Sequence, residues 1–231
     1  MELTYYGHAC FGVVAGGKRL LFDPFITPNP MAAGINLESI ECDEILISHA
    51  HADHLADAVA LATRTGARVT ANYEVTQWLS AQGIERTEPL NHGGRLRLDW
   101  GSIQYVNAIH SSSFPDGSYG GNPGGFIIES QDGCFYYSGD TALTWDMKII
   151  AERSKLDFAV LCIGDRFTMG VEDACTAAQW VGCEEVVGVH YDTFPPIKID
   201  CEQAQKYFAS KGKRLHLPKI GTSLTLPGAG N

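Results

Sequence analysis

The six residues His49-Ala50-His51-Ala52-Asp53-His54 constrain this chain more than any other stretch. They place three imidazoles and a carboxylate in one short turn, directly after the apolar run Glu44-Ile45-Leu46-Ile47-Ser48. A run of this kind reads as a buried strand, and a helix-like stretch over 55–65 follows it. The cluster therefore lies at the C-terminal end of a strand, where open α/β sheets place their ligand sites. Neutral imidazole and ionised carboxylate are donors suited to zinc, manganese and iron. The plainer alternative is a surface loop rich in histidine. Three of the chain's eight histidines fall within these six residues, which favours the metal reading.

With 231 residues and 45% hydrophobic content, the chain can bury a full core, as one domain over 1–231 or as two fused halves. Met1-Glu2-Leu3-Thr4-Tyr5 opens in strand-like sequence without a basic-then-apolar leader. No apolar run approaches bilayer length, so a cytoplasmic protein without a membrane span is expected. The seven cysteines are odd in number and scattered, with no Cys-x-x-Cys pair. Buried free thiols are therefore expected rather than disulfides or thiolate metal sites. Net charge is −10, from 27 acidic against 17 basic residues. That balance argues against a nucleic-acid partner, which needs clustered cations, although a bound dication can make an acidic surface locally positive.

Along the chain, strands are expected over 3–14 and 19–22, joined by the Gly16-Gly17 turn. After the histidine-rich loop come a strand over 67–71 and a helix over 73–81 ended by Gly83. Two hairpins follow, over 95–109 and 125–138. The last third alternates again: strand 157–163, helix 171–181, strand 185–189, helix 201–210 and strand-like 214–226. Both ends thus combine hairpins with strand-helix units. Two similar αβ halves, with their sheets face to face and helices outside, account for the pattern.

A two-metal site needs more donors than one loop supplies, and three further positions qualify. His110 follows Tyr105-Val106-Asn107-Ala108-Ile109, Asp140 follows Phe135-Tyr136-Tyr137-Ser138-Gly139, and His190 follows Val186-Val187-Gly188-Val189. Alone, each is more simply a structural histidine or a turn carboxylate. Four strand ends delivering the same ligand chemistry shift the balance to a shared centre.

His49-x-His51-x-Asp53-His54, then His110, Asp140 and His190 in that order, resembles the ligand set of the metallo-β-lactamase superfamily. Tyr6-Gly7-His8-Ala9-Cys10-Phe11, Phe22-Asp23-Pro24-Phe25, Phe167-Thr168-Met169-Gly170 and His190-Tyr191-Asp192-Thr193-Phe194-Pro195 are similar to its compact branch of metal-dependent hydrolases. That branch resembles L-ascorbate-6-phosphate lactonases and, more distantly, N-acyl-phosphatidylethanolamine phospholipase D. The resemblance implies a four-layer αββα sandwich of the α/β class. It implies that His49, His51 and His110 hold one divalent ion, that Asp53, His54 and His190 hold another, and that Asp140 bridges them. Zinc is the first expectation, with manganese or iron as alternatives. The commonest zinc β-lactamases carry cysteine where Asp140 stands, which argues against antibiotic hydrolysis.

The implied reaction is hydrolysis of an ester, lactone, amide or phosphodiester of a small, anionic metabolite by metal-activated hydroxide. A phospholipase D-like phosphodiesterase, a di-iron redox protein and a non-catalytic binding protein are the alternatives. Asp53 is expected chiefly as a ligand that also orients the hydroxide. Asp23 is a candidate to receive the second N–H of a ligand histidine, or else a cap on the turn into Pro24. His8 suits a group facing the cleft as proton donor or substrate contact, or a structural histidine. Arg166 and Lys198 could meet an anionic substrate, though a solvated position is the plainer reading. His92 and His216 are expected to be structural, and Trp78, Trp145 and Trp180 to pack from helices. The loops 26–41 and 115–125 are the expected walls of the site. The apolar stretch 31–35 could contribute to a homo-oligomer interface.

Overall fold

The computed structural model describes residues 1–229. Seven strands form a first sheet: β1 (Glu2–Gly7), β2 (Cys10–Ala15), β3 (Lys18–Phe22), β4 (Glu44–Leu46), β5 (Arg68–Asn72), β6 (Thr87–Leu90) and, from the far end of the chain, β14 (Thr222–Thr225). Its order is β14-β1-β2-β3-β4-β5-β6. A second sheet holds β7 (Arg95–Leu98), β8 (Gly101–Asn107), β9 (Gly124–Ser130), β10 (Gly133–Tyr137), β11 (Phe158–Cys162), β12 (Glu185–Val189) and β13 (Arg214–His216), in the order β13-β12-β11-β10-β9-β8-β7. In each sheet three antiparallel pairings are followed by three parallel ones. The two halves therefore repeat one architecture, as the order of hairpins and strand-helix units suggested.

The period of two in strand side chains explains the layering. In β11 all five residues are buried. Phe158 and Val160 face the centre of the molecule, where they join Phe11, Phe22, Phe126, Phe135 and Tyr137 in a core shared by both sheets. Ala159 and Leu161 face the other way, against α4 (Met147–Arg153), α5 (Val171–Trp180) and α6 (Cys201–Ser210). On the first sheet, Ile45 and Val69 pack against α2 (Ala58–Thr65) and α3 (Tyr73–Ala81). The result is helix, sheet, sheet, helix: the αββα sandwich.

Several boundaries differ from the sequence expectation, each for a local reason. The run 3–14 is two strands, because Gly7 (φ 107°) and His8 (φ 55°) turn the chain back on itself. The run 214–226 also splits: β13 joins the second sheet and β14 the first, with Pro218, which has no N–H, between them. The expected helix over 55–65 starts earlier, as the single turn α1 (Ala52–Leu55), and then breaks. The Asp57 carboxylate accepts the N–H groups of Ile26 (2.7 Å) and Thr27 (2.9 Å), which ties the break to the loop after β3. β6 was not foreseen, and the helix expected at Trp145 starts two residues later, as α4; Pro89 hides β6, and it is tolerated because that strand is an edge. Trp145 lies before α4 rather than in a helix, 68% exposed, with its ring stacked 4.8 Å from Trp180. All seven cysteines are free. No helix among the described residues is long and apolar enough to cross a membrane.

Candidate metal centre

The expected ligands come from the C-terminal ends of strands in both sheets and meet at one edge of the sandwich. The loop after β4 carries His49 and His51, α1 carries Asp53 and His54, and the ends of β8, β10 and β12 lead to His110, Asp140 and His190. Gly139 makes the approach of Asp140 feasible. It holds φ 59°, and a Cβ there would sit 2.5 Å from the Gly124 carbonyl oxygen.

His49, His51 and His110 form a first group whose donor atoms lie within 4.8 Å of one another. The tautomer of His49 follows from its neighbours. The Ser48 hydroxyl donates to Asp23 Oδ2 at 2.6 Å and therefore accepts from His49 Nδ1–H at 2.9 Å. That leaves His49 Nε2 without a proton, 2.9 Å from His51 Nδ1. His51 Nε2 lies 3.3 Å from the Ser111 hydroxyl. A bare imidazole lone pair aimed into a cluster of imidazoles is a ready metal donor.

The second group is Asp53, His54 and His190 with His8, again within 4.8 Å. Asp140 stands between the groups. Its Oδ2 lies 2.9 Å from His190 Nε2, 3.3 Å from His54 Nε2 and 3.6 Å from His110 Nε2. His54 Nε2, Asp140 Oδ1 and His190 Nδ1 are buried without any hydrogen-bond partner. Orphaned buried polar atoms are costly and rare, and three in one cluster call for a missing partner.

Charge tells the same story. Among the described residues, the ion-pair partners of Asp23, Asp53 and Asp140 are histidines only. Burial, and then His54, hold His49 well below the ordinary imidazole range, and burial lowers His51 and His110 as well. These rings stay neutral, which is the metal-binding form. Burial opposes a charge on His54 too, but Asp140 and Asp23 outweigh it and raise its pKa well above normal. Burial would likewise raise the carboxyls of Asp140 and Asp53; His190 and His54 hold the first well down, and the hydrogen bond from His8, together with the nearby His54 charge, holds down the second. Buried carboxylates beside the neutral imidazoles of His49, His51 and His110, with a His54 that two carboxylates draw toward positive charge, fit divalent cations that would replace that proton.

Asp23 is fully buried behind His54, out of reach of any substrate. It accepts from Ser48 N–H (2.7 Å), the Ser48 hydroxyl (2.6 Å), the Tyr137 hydroxyl (2.6 Å) and His54 Nδ1–H (2.8 Å). Its geometry is that of a positioning residue, aiming His54 Nε2 at Asp140. His8 is 1% exposed and lines a pocket with Tyr5, Tyr191, Asp192 and Thr193. Its Nε2–H donates to Asp53 Oδ2 at 3.1 Å, and its Nδ1 accepts from the Thr193 hydroxyl at 2.9 Å. Asp23, His8 and His190 all hold left-handed backbone conformations, strain of the kind that collects at functional sites. Ser48, Ser111, Tyr137 and Thr193 were not singled out in the sequence; only their closeness to ligand positions marks them. His92 and His216 lie apart, bound to the Pro123 carbonyl and to Glu185. Of residues 31–35, Met31 alone presents a large apolar side chain to solvent.

The comparisons with known proteins agree with this geometry. Residues 2–190 match the family model described as the beta-lactamase superfamily domain. The chain belongs to the metallo-β-lactamase superfamily. Within it, a protein of Flavobacterium johnsoniae called a UPF0173 metal-dependent hydrolase is 50% identical over 226 residues, covering 98% of this chain and all of that one. A Thermus thermophilus protein with the same family name is 42% identical, over 98% of this chain and 99% of its own. Igni18, a metallo hydrolase from the archaeon Ignicoccus hospitalis, superposes with a TM-score of 0.88 at 34% identity, covering 96% and 97% of the two chains. An isothiocyanate hydrolase from Delia radicum gut bacteria shares the fold, with a TM-score of 0.80 at 20% identity, over 97% and 98%.

Proposed function

We propose that this chain is a metal-dependent hydrolase with two divalent cations, acting on an ester, lactone or phosphodiester of a small anionic metabolite. The observation that carries this reading is the unprotonated His49 Nε2 in the His49-His51-His110 group, together with the unpartnered buried atoms of His54, Asp140 and His190. His49, His51 and His110 would hold one cation, Asp53, His54 and His190 the other, and Asp140 would serve both. Zinc suits this donor set best, with manganese or iron as alternatives. Such a pair supplies hydroxide near neutral pH and stabilises the charge that develops on a carbonyl or phosphoryl oxygen. The protein's own part is to fix the donors. Asp23 and Ser48 set the tautomers of His54 and His49, and Ser111 steadies the His51 ring. His8 and Thr193 hold Asp53 in place, so that it binds a cation and orients the attacking oxygen.

A single structural unit over 1–231 is part of this reading, supported by β14, which completes the first sheet from the C-terminal side. Seven free thiols support a reducing, cytoplasmic compartment. The test is a panel of lactones and bis-aryl phosphodiesters assayed with stripped protein and after adding zinc, manganese or iron. Turnover should appear only on metal addition and vanish in His51→Ala and Asp140→Ala with the circular dichroism spectrum retained. Full activity in the stripped protein contradicts the proposal. The panel separates lactonase from phosphodiesterase, and a visible iron-oxo band with oxygen turnover would mark a di-iron redox protein instead.

A further inference from the structure

β11 lies between β10 and β12 in the second sheet. Those neighbours deliver Asp140 and His190 to the centre, while β11 delivers no ligand. Its end turns into the loop 164–170, which is tied to the segments of three ligands. A Cβ on Gly164 would stand 2.1 Å from the His190 carbonyl oxygen. Met169 N–H donates to the Thr141 carbonyl at 2.9 Å, and Thr141 follows Asp140. The Thr141 hydroxyl accepts from Ile109 N–H at 2.9 Å, and Ile109 precedes His110.

Within this loop the consecutive residues Asp165 (φ 59°) and Arg166 (φ 43°) are both left-handed, a conformation most L residues avoid. Asp165 turns its side chain back toward Gly170. Arg166 is exposed and, among the described residues, forms no ion pair. Phe167 is 54% exposed, as is Ile109 beside His110. The Arg166 guanidinium carbon lies 6.0 Å from the centre of the Phe167 ring. A strained loop, anchored to the segments that carry Asp140 and His190, thus holds an unpaired cation and an exposed aromatic ring on a chain of net charge −10.

We propose that Arg166 and Phe167 are specificity-determining residues. They select organic anions carrying a ring-sized apolar group: Arg166 takes the negative end, and Phe167 with Ile109 covers the ring. The inference rests on the two-cation hydrolase reading and names the substrate class for it. Arginine pairs with carboxylate or phosphate through a planar fork, and a ring laid on Phe167 gains the usual apolar burial.

The experiment is calorimetric titration of the metal-loaded chain with acetohydroxamate, benzohydroxamate, and benzohydroxamates bearing a meta or para carboxylate. The hydroxamate supplies the metal-binding group in all four. In the unmodified protein the ring should tighten binding about tenfold. One of the two carboxylates should add roughly fivefold more. Phe167→Ala should abolish the first step and Arg166→Gln the second, with Arg166→Lys keeping part of it and metal content unchanged throughout. Equal affinity for all four probes overturns the proposal, and so does a uniform loss that includes acetohydroxamate, which would mean that the loop merely supports the metals. If acetohydroxamate fails to bind the unmodified protein, the hydrolase reading fails, and this inference with it.

Discussion

Asp23→Asn separates positioning from binding at this centre. The carboxylate accepts four hydrogen bonds, from two Ser48 donors, the Tyr137 hydroxyl and His54 Nδ1–H. An amide of the same size has one oxygen and one NH2 group. The Ser48 backbone N–H cannot rotate away, so the oxygen is kept on that side. The NH2 then takes the place of Oδ2 and meets two hydroxyls and the imidazole. Hydroxyls can turn to accept, but the His54 ring adapts only by carrying its proton on Nε2, the atom that faces Asp140. Bonds to a charged acceptor contribute about 1.5–3 kcal/mol each and neutral ones about half that, so stability should fall by roughly 3 kcal/mol. The second-group cation should bind 10- to 100-fold more weakly, a loss of about 1.4–2.7 kcal/mol. The His49-His51-His110 cation should change only a few-fold. Competition with a chromophoric chelator reads the two affinities, and long-range 15N correlation spectra read the His54 tautomer. Two unchanged affinities, with the proton still on Nδ1, would refute the reasoning.

Other outcomes follow from the same structure. Phe22 is fully buried, 4.5 Å from the Phe11 ring and 5.5 Å from that of Tyr137, so Phe22→Ala should lose about 3–5 kcal/mol in urea unfolding with metal stoichiometry intact. Burial, with His190 nearby, lowers His8 to about 4, whereas the unfolded chain titrates near the ordinary 6.5. Between these values the unfolded state binds more protons, so His8 alone should cost the metal-free protein about 3 kcal/mol as pH falls from 7 to 4, and His8→Asn should make the slope shallower by that amount. Five cysteines are buried, and burial pushes the partly exposed Cys134 up to about 12. Ellman's reagent should therefore find no more than the two partly exposed thiols, Cys134 and Cys201, in the folded protein, against all seven in denaturant.

The αββα layering was legible because hydrophobic period and turn residues survive any context. Helices α3 and α6 and strand β12 sit where the sequence pattern places them. The seven candidate ligands could be singled out because histidine and aspartate are unusual residue types so soon after apolar strands, and the structure brings their donor atoms together. What was hidden depends on contacts across the fold. The turn at His8 is masked because buried strands flank it on both sides. The departure of β14 to the first sheet depends on pairing with β1, more than 200 residues away, for which local pattern carries no signal. Asp23 could be suspected from its place after β3, but its four donors could not. The strain at Asp165 and Arg166 has no sequence signature, since neither position is glycine.

The central claim is best tested by anomalous diffraction from crystals of the purified chain, collected at metal absorption edges. The account predicts two peaks per chain, one against His49, His51 and His110 and one against Asp53, His54 and His190, with Asp140 touching both. A chain soaked in metal that shows no peak among these side chains, or a single peak clear of Asp140, would contradict it.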